Sequence, residues 1–152
     1  FFIMTVAVMF IARFVGKTLS YLPFADFMDI LLYSAVMIAV DIVFYLIVVF
    51  FLSGLMPYFK ISAGKARIAF LVYVSLVPFY LAMIILNLFP GLFFLALIFV
   101  YGFYVLYWGV TYFLKPSKDK VNIIFVVFIL IIAGVYLVLN FALIYPFFEF
   151  IF

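Results

Sequence analysis

The sequence predicts an all-α fold: a polytopic bundle of transmembrane helices with five spans, of which we expect the first to be truncated. Of its 152 residues, 75% are hydrophobic and only 9% are charged, whereas about 25% of the residues of a soluble domain are charged. The surplus of apolar side chains must face lipid. The apolar runs are continuous and do not alternate with polar residues, which indicates helices rather than a membrane-spanning barrel.

The uncharged runs predict where the spans lie. Residues 68–114 carry no charge, which is enough for two helices of about 20 residues each, and Pro90-Gly91 marks the turn between them. By contrast, only twelve uncharged residues precede Arg13, which are too few to span a membrane alone. We therefore expect an incomplete first span that ends near Arg13 and Lys17, and the alternative is a segment that lies in the membrane interface. The predicted spans within a single domain, 1–152, are 1–15 (partial), 27–56, 66–88, 91–114 and 121–145.

The basic residues of two short links predict the orientation. The links join the second span to the third and the fourth to the fifth, so both lie on one side of the membrane, which we expect to be cytoplasmic. The N-terminus is then cytoplasmic, and the C-terminus lies outside or in a lumen. Such links also attract anionic headgroups, but orientation alone is sufficient to explain them. The basic residues are Lys60, Lys65, Arg67, Lys115, Lys118 and Lys120.

Asp41 lies about midway along the predicted second span, where a charged side chain costs about 2.5–3.5 kcal/mol or more. One interpretation is a proton or ion pathway through the bundle. The other is a structural carboxyl group that is hydrogen-bonded to a Tyr, Ser or Asn side chain. No intramembrane Lys, Arg or His is expected as an obvious partner, and a proton relay needs a second titratable group. The structural interpretation is therefore favoured.

The third and fourth predicted spans contain residues that shape helix packing. Pro78 has no N–H, so the carbonyl of Val74 loses its helical partner and we expect a kink. The Ser75 hydroxyl would help to satisfy the freed backbone groups, and the alternative role of this pair is a hinge or a binding notch. Gly102 and Gly109 are seven residues apart on one helix face. They are expected to permit close packing within the chain or against a neighbouring protein.

Four aromatic side chains also follow helical spacing along the predicted fourth span. Rings near a span's end are expected to anchor it at the membrane interface, and a binding surface is the alternative. The four residues are Tyr101, Tyr104, Trp108 and Tyr112.

The composition excludes several classes of function. The chain contains no Cys and no His, which removes disulfides, thiolate nucleophiles, imidazole bases and the usual zinc and haem ligands. It also lacks a nucleophile–base pair, a glycine-rich phosphate loop and a long basic block for nucleic acid. We therefore predict no catalytic, cofactor-binding or metal-ligating residue, no cofactor and no enzymatic activity.

Several segments together resemble the Yip-one domain family, the Ypt/Rab-interacting multi-pass membrane proteins and their prokaryotic relatives. The matching segments are a glycine- and lysine-bearing link at 54–65, Tyr73-Val74-Ser75-Leu76-Val77-Pro78, the Pro90-Gly91 turn, Leu106-Tyr107-Trp108-Gly109-Val110 and the basic link at 115–120. They cover about half of the chain, and the span layout covers nearly all of it. The resemblance implies five spans with the N-terminus in the cytosol. It also implies either vesicle trafficking at the Golgi and endoplasmic reticulum or a prokaryotic protein of similar layout.

From these observations we expect a non-enzymatic membrane scaffold or an accessory subunit of a larger membrane complex. Its expected partners are the lipid bilayer and other membrane proteins, or a second copy of itself. The alternatives are a small transporter or channel that uses Asp41, and a trafficking factor. The short links and the Ile/Phe/Lys-rich composition favour a prokaryotic plasma membrane, with a Golgi or endoplasmic reticulum membrane as the alternative.

Overall fold

A computed structural model of the chain describes residues 2–21 and 27–144, and nearly all of them are helical. Within those two ranges there is no β-strand, so the predicted all-α class is confirmed. The α-helices in the described residues are α1 (Phe2–Tyr21), α2 (Phe27–Leu55), α3 (Lys65–Leu88), α4 (Ile98–Gly109) and α5 (Lys118–Leu139).

Three helical stretches are long and apolar enough to cross a membrane, by length and composition. They are Phe27–Phe59, Lys65–Leu88 and Lys118–Ala142, which contain α2, α3 and α5. A shorter apolar stretch, Ile98–Leu114, contains α4. These helices are those of a membrane protein, because their apolar side chains cannot all be buried in so small a bundle.

α1 is longer than the sequence predicted. It continues past residue 15 to Tyr21, because the residues that follow Arg13 contain no proline and no strong helix stop. Its buried residues are Met9, Ala12, Arg13 and Gly16, which are spaced so that they share one face of a helix. Arg13 is therefore buried within α1, and the prediction that it lies at the end of this segment is wrong.

The predicted fourth span, 91–114, is divided into three parts in the structure. A 3-10 segment, Pro90–Leu97, precedes α4, and Leu92 within it has non-helical angles (φ −90°, ψ 34°). α4 is followed by a π-helical turn, Val110–Leu114. Proline supplies no N–H and glycine favours non-helical conformations, so Pro90-Gly91 starts this span irregularly.

α5 is likewise followed by a π-helical turn, Asn140–Ile144, and the predicted end of its span at 145 lies outside the described residues.

α3 is the central helix of the bundle. It packs against α1, α2 and α4, while α5 packs mainly on α2. In an apolar window of 18 residues within each stretch, 44% of the residues are buried for α3, against 22% for the stretch containing α2 and 17% for that containing α5. α5 therefore presents most of its surface outward, and the apolar core lies around α2 and α3.

Three glycines let helices approach α3 closely. A Cβ at Gly16 of α1 would overlap the backbone carbonyl of Asn87, and one at Gly102 of α4 would lie 2.9 Å from the carbonyl oxygen of Ser75. A Cβ at Gly109 would overlap the side chain of Leu71. The predicted glycine face of α4 therefore packs against α3, inside the chain rather than against a neighbouring protein.

Gly16→Ala is expected to destabilise the protein by about 1–3 kcal/mol, because the methyl group meets backbone that cannot rotate away. Gly134→Ala is the matched control, since nothing lies within 4 Å of a Cβ at that position in α5. Alanine there should stabilise the helix by up to about 1 kcal/mol. Thermal unfolding of the detergent-solubilised variants, followed by the fluorescence of the single tryptophan, measures both effects. Equal melting temperatures for the two variants would contradict the close approach of α1 to α3.

Candidate functional site

A buried ion pair joins α1 to α2 in the interior of the bundle. Nη1 of Arg13 lies 2.7 Å from Oδ2 of Asp41, and the two side chains are 4% and 17% exposed. The prediction that Asp41 has no cationic partner is therefore wrong. It failed because the first helix was ended near Arg13 instead of being continued to Tyr21.

The ion pair borders a cavity of about 360 Å³ between the helices. Each α-helix contributes to its wall: Arg13 from α1, Asp41 from α2, Tyr80 from α3, Gly102 from α4 and Tyr136 from α5. The rest of the wall is mainly apolar and aromatic. A concave, apolar site with a few converging polar groups is the usual form of a small-molecule site.

Polar atoms at this cavity retain hydrogen-bonding capacity. The buried hydroxyl of Tyr80 has no hydrogen-bond partner among the described residues, whereas Nη1 of Arg13 and Oδ2 of Asp41 lie in their mutual ion pair. A buried polar group without a partner costs about 1–3 kcal/mol, so such groups are uncommon in folded proteins. An unpartnered hydroxyl and a buried ion pair on the wall of one cavity make this the candidate functional site.

Ser75 belongs to the wall of this cavity, but its hydroxyl does not have the role predicted for it. Ser75 Oγ donates a hydrogen bond of 2.8 Å to the carbonyl of Leu71, not to the Val74 carbonyl that Pro78 leaves without a partner. α3 continues through the buried Pro78. A serine bonded to the carbonyl four residues earlier tends to bend a helix, so Ser75 and Pro78 act on the same turn of α3.

The predicted site included Asp41 and Ser75 but missed Arg13, Tyr80 and Asn140, which also line the cavity. Asn140 starts the π-helical turn after α5, and its side-chain amide donates 3.1 Å to the carbonyl of Tyr136. The only sequence signal for Arg13 was the uninterrupted apolar pattern on either side of it. Tyr80 had no distinguishing signal among twelve tyrosines.

The six basic residues of the links are not equivalent in the structure. Lys60, Arg67, Lys115 and Lys120 line a second pocket of about 600 Å³ at one end of the bundle. Lys65 and Lys118 do not line it. Nζ of Lys120 donates to the carbonyl oxygen of Phe59 at 3.4 Å, so one link contacts the other.

Breaking the ion pair from either side should destabilise the protein by about 3–5 kcal/mol, because the remaining charge stays buried without its partner. Arg13→Met and Asp41→Leu are the single changes. The double variant Arg13→Met/Asp41→Leu should recover most of that loss, since it leaves no buried charge. Melting temperatures of the three variants in one detergent measure this coupling. If the losses in the two single variants simply add in the double variant, the pair does not act as a unit.

Comparisons with protein-family models, with curated proteins and with solved structures find no match to this chain. The resemblance to the Yip-one domain family therefore stays a prediction.

Proposed function

We propose that the protein is a small multi-pass transporter or channel that binds its solute in the cavity beside Arg13 and Asp41. The observation that carries this proposal is a buried ion pair at a cavity that is lined by residues from each of the helices α1 to α5. In the proposed arrangement α1 and α4 complete five membrane segments together with the three long apolar stretches. We place the protein in a prokaryotic plasma membrane, with both basic links in the cytoplasm.

The ion pair favours an anionic solute over a cationic one. The pair is neutral, and one further charge in an apolar cavity is costly unless something compensates it. An anion that binds Arg13 displaces Asp41, and the carboxylate regains neutrality by taking up a proton. A cation that binds Asp41 would displace Arg13, which cannot lose its proton inside a protein. The site thus accommodates an anion together with one proton.

The other titratable groups at the cavity are tyrosines. Tyr80 of α3 and Tyr136 of α5 line it. The α4 residues in the cavity wall are Phe99, Gly102, Phe103 and Leu106, none of which titrates. Asp41 is therefore the group at this cavity that exchanges a proton in the ordinary pH range.

Asp41→Asn is expected to abolish proton uptake driven by an anion gradient, because asparagine cannot take up the proton that accompanies the anion. The measurement uses the full chain in vesicles that contain a pH-sensitive dye, with an inward gradient of chloride or lactate. The double variant Arg13→Met/Asp41→Leu supplies a second test that does not depend on the stability of Asp41→Asn. Both should fall to the level of protein-free vesicles.

The control for this experiment is Asp29→Asn, which changes a carboxylate in the first turn of α2 that does not line the cavity. It should transport as the unaltered protein does. Absence of anion-driven proton uptake by the unaltered protein, or its persistence in both Asp41 variants, would refute the proposal.

A second candidate function, a scaffold or accessory subunit, is favoured by the outer surface of α4. The rings of Trp108 and Tyr112 stack with centroids 4.5 Å apart, and Tyr104 lies next to them with its centroid 6.1 Å from that of Trp108. These side chains are exposed, Tyr104 at 54% and Trp108 at 45%. Because Gly102 and Gly109 already pack against α3, this aromatic surface is among the parts of α4 that are left exposed. Aromatic side chains are enriched at protein interfaces.

The chain contains no cysteine, so single-cysteine crosslinking in native membranes tests self-association through α4. Tyr104→Cys is expected to give a disulfide-linked dimer on oxidation, because two copies packed through this surface bring the two thiols together. Phe141→Cys is the control, since Phe141 is 72% exposed on the turn after α5. Equal dimer yields at both positions would indicate random collision and would count against this surface.

A further inference from the structure

The pocket at the end of the bundle is built from both basic links. It lies between the residues after α2 and the residues after α4, and its volume is about 600 Å³. Each link contributes two cations: Lys60 and Arg67 on one side, and Lys115 and Lys120 on the other. Among the described residues that line it, none is acidic, and Asp119, the neighbour of Lys120, lies outside the wall. Four positive charges around one depression repel one another unless an anion lies between them.

Two of these lysines occupy backbone positions that do not suit them. Lys60 follows the 3-10 turn Met56–Phe59 with φ 60°, and Lys115 follows the π-helical turn Val110–Leu114 with φ 47°. This left-handed conformation at the end of a helix is usually taken by glycine, because a Cβ there costs about 1–2 kcal/mol. Lysine at the equivalent position of both links is therefore unfavourable for folding stability. Unlike glycine, however, lysine places a positive charge at the pocket.

The backbone around the pocket also favours an anion. α3 and α5 both begin here, and their N-cap residues, Gly64 and Ser117, make no side-chain capping bond. The first-turn N–H groups and the positive end of each helix therefore face this end of the bundle. Ser62 and Ser117 line the pocket, and their hydroxyls are further donors for the oxygens of an anion.

We infer that this pocket binds the phosphate headgroup of an anionic phospholipid. Phosphate is the group that several lysines, an arginine, hydroxyls and helix N-termini bind in common. Tyr112 and Phe113 line the same pocket and are 58% and 45% exposed, so apolar surface adjoins the cations. The pocket lies at the end of long apolar stretches, where a lipid's headgroup meets its acyl chains. A ligand with both a phosphate and an apolar tail fits these features better than free phosphate does.

The test uses Trp108 as a built-in donor, because its ring stacks on that of Tyr112 at the pocket. The full chain is reconstituted in phosphatidylcholine vesicles that contain a trace of dansyl-labelled phosphatidylglycerol or dansyl-labelled phosphatidylcholine. Energy transfer from Trp108 should be stronger to the phosphatidylglycerol probe. In Lys60→Gly/Lys115→Gly, which keeps the backbone favourable, that preference should fall about thirtyfold, because the headgroup loses two cations of the pocket wall and each contributes a factor of about five.

The matched control is Lys65→Gln/Lys118→Gln, which removes the same charge from the same links but outside the pocket, and it should keep most of the preference. Equal losses in the two double variants would mean diffuse surface charge and would overturn the site. So would equal transfer to both labelled lipids in the unaltered protein. Displacement of the phosphatidylglycerol probe by inorganic phosphate at millimolar concentration would assign the pocket to soluble phosphate and overturn the lipid assignment.

Discussion

A guanidinium and a carboxylate lie 2.7 Å apart inside a bundle whose helices are otherwise almost entirely apolar. Either charge alone would strongly destabilise the bundle, because desolvation of a single ion costs several kcal/mol and only a close partner offsets it. α1 carries Arg13 on the same face as Met9, Ala12 and Gly16, so the face that packs on the bundle is also the face that must meet a carboxylate. Asp41 on α2 therefore fixes which way α1 faces and where it lies along α2.

The cavity follows from the same constraint. Arg13 reaches Asp41 only if α1 lies close to the bundle, and Gly16 makes that possible by meeting the backbone of α3 at Asn87. α4 also approaches α3 at Gly102, where the neighbour is the carbonyl oxygen of Ser75, and at Gly109, where it is the side chain of Leu71. Helices held this near at their glycines leave the larger side chains to enclose space between them, and the polar atoms of Arg13 and Asp41 lie on its wall.

The uncharged runs were sufficient to predict α2, α3 and α5, but neither the length of α1 nor the irregular parts of the fourth segment. α3, at Lys65–Leu88, lies almost where an uninterrupted apolar run placed it at 66–88, because lipid-compatible length and a Pro-Gly turn are both local signals. The 3-10 segment Pro90–Leu97 and the π-helical turn Val110–Leu114 have no such signal, since apolar residues suit all of these helix types equally. Which turns become π-helical and which become 3-10 helical depends on how they pack against α3.

The candidate site could be predicted only in part, because its residues come together only in the folded bundle. An isolated carboxylate in an apolar run is conspicuous, so Asp41 was found from sequence alone. Its partner was not found, because charge spacing was used to end the first helix, and an arginine at a helix end needs no counterion. Arg13 and Asp41 are neighbours only in the folded bundle, and nothing local to either residue encodes that contact. The same holds for Tyr80, whose buried hydroxyl is unusual only in its tertiary surroundings.

The eight basic residues of the chain show why its net charge of +3 says little by itself. Arg13 is neutralised inside the bundle by Asp41, and Lys17 lies 5.1 Å from the centre of the Tyr33 ring. The other six all belong to the two links. Because Arg13 is buried and paired, it adds little to the exposed positive charge of the chain. The interior carries its two charges as a close pair because a single desolvated charge is costly there. Among the described residues, the basic residues of the links make no ion pair, because solvent and salt screen charges at the surface.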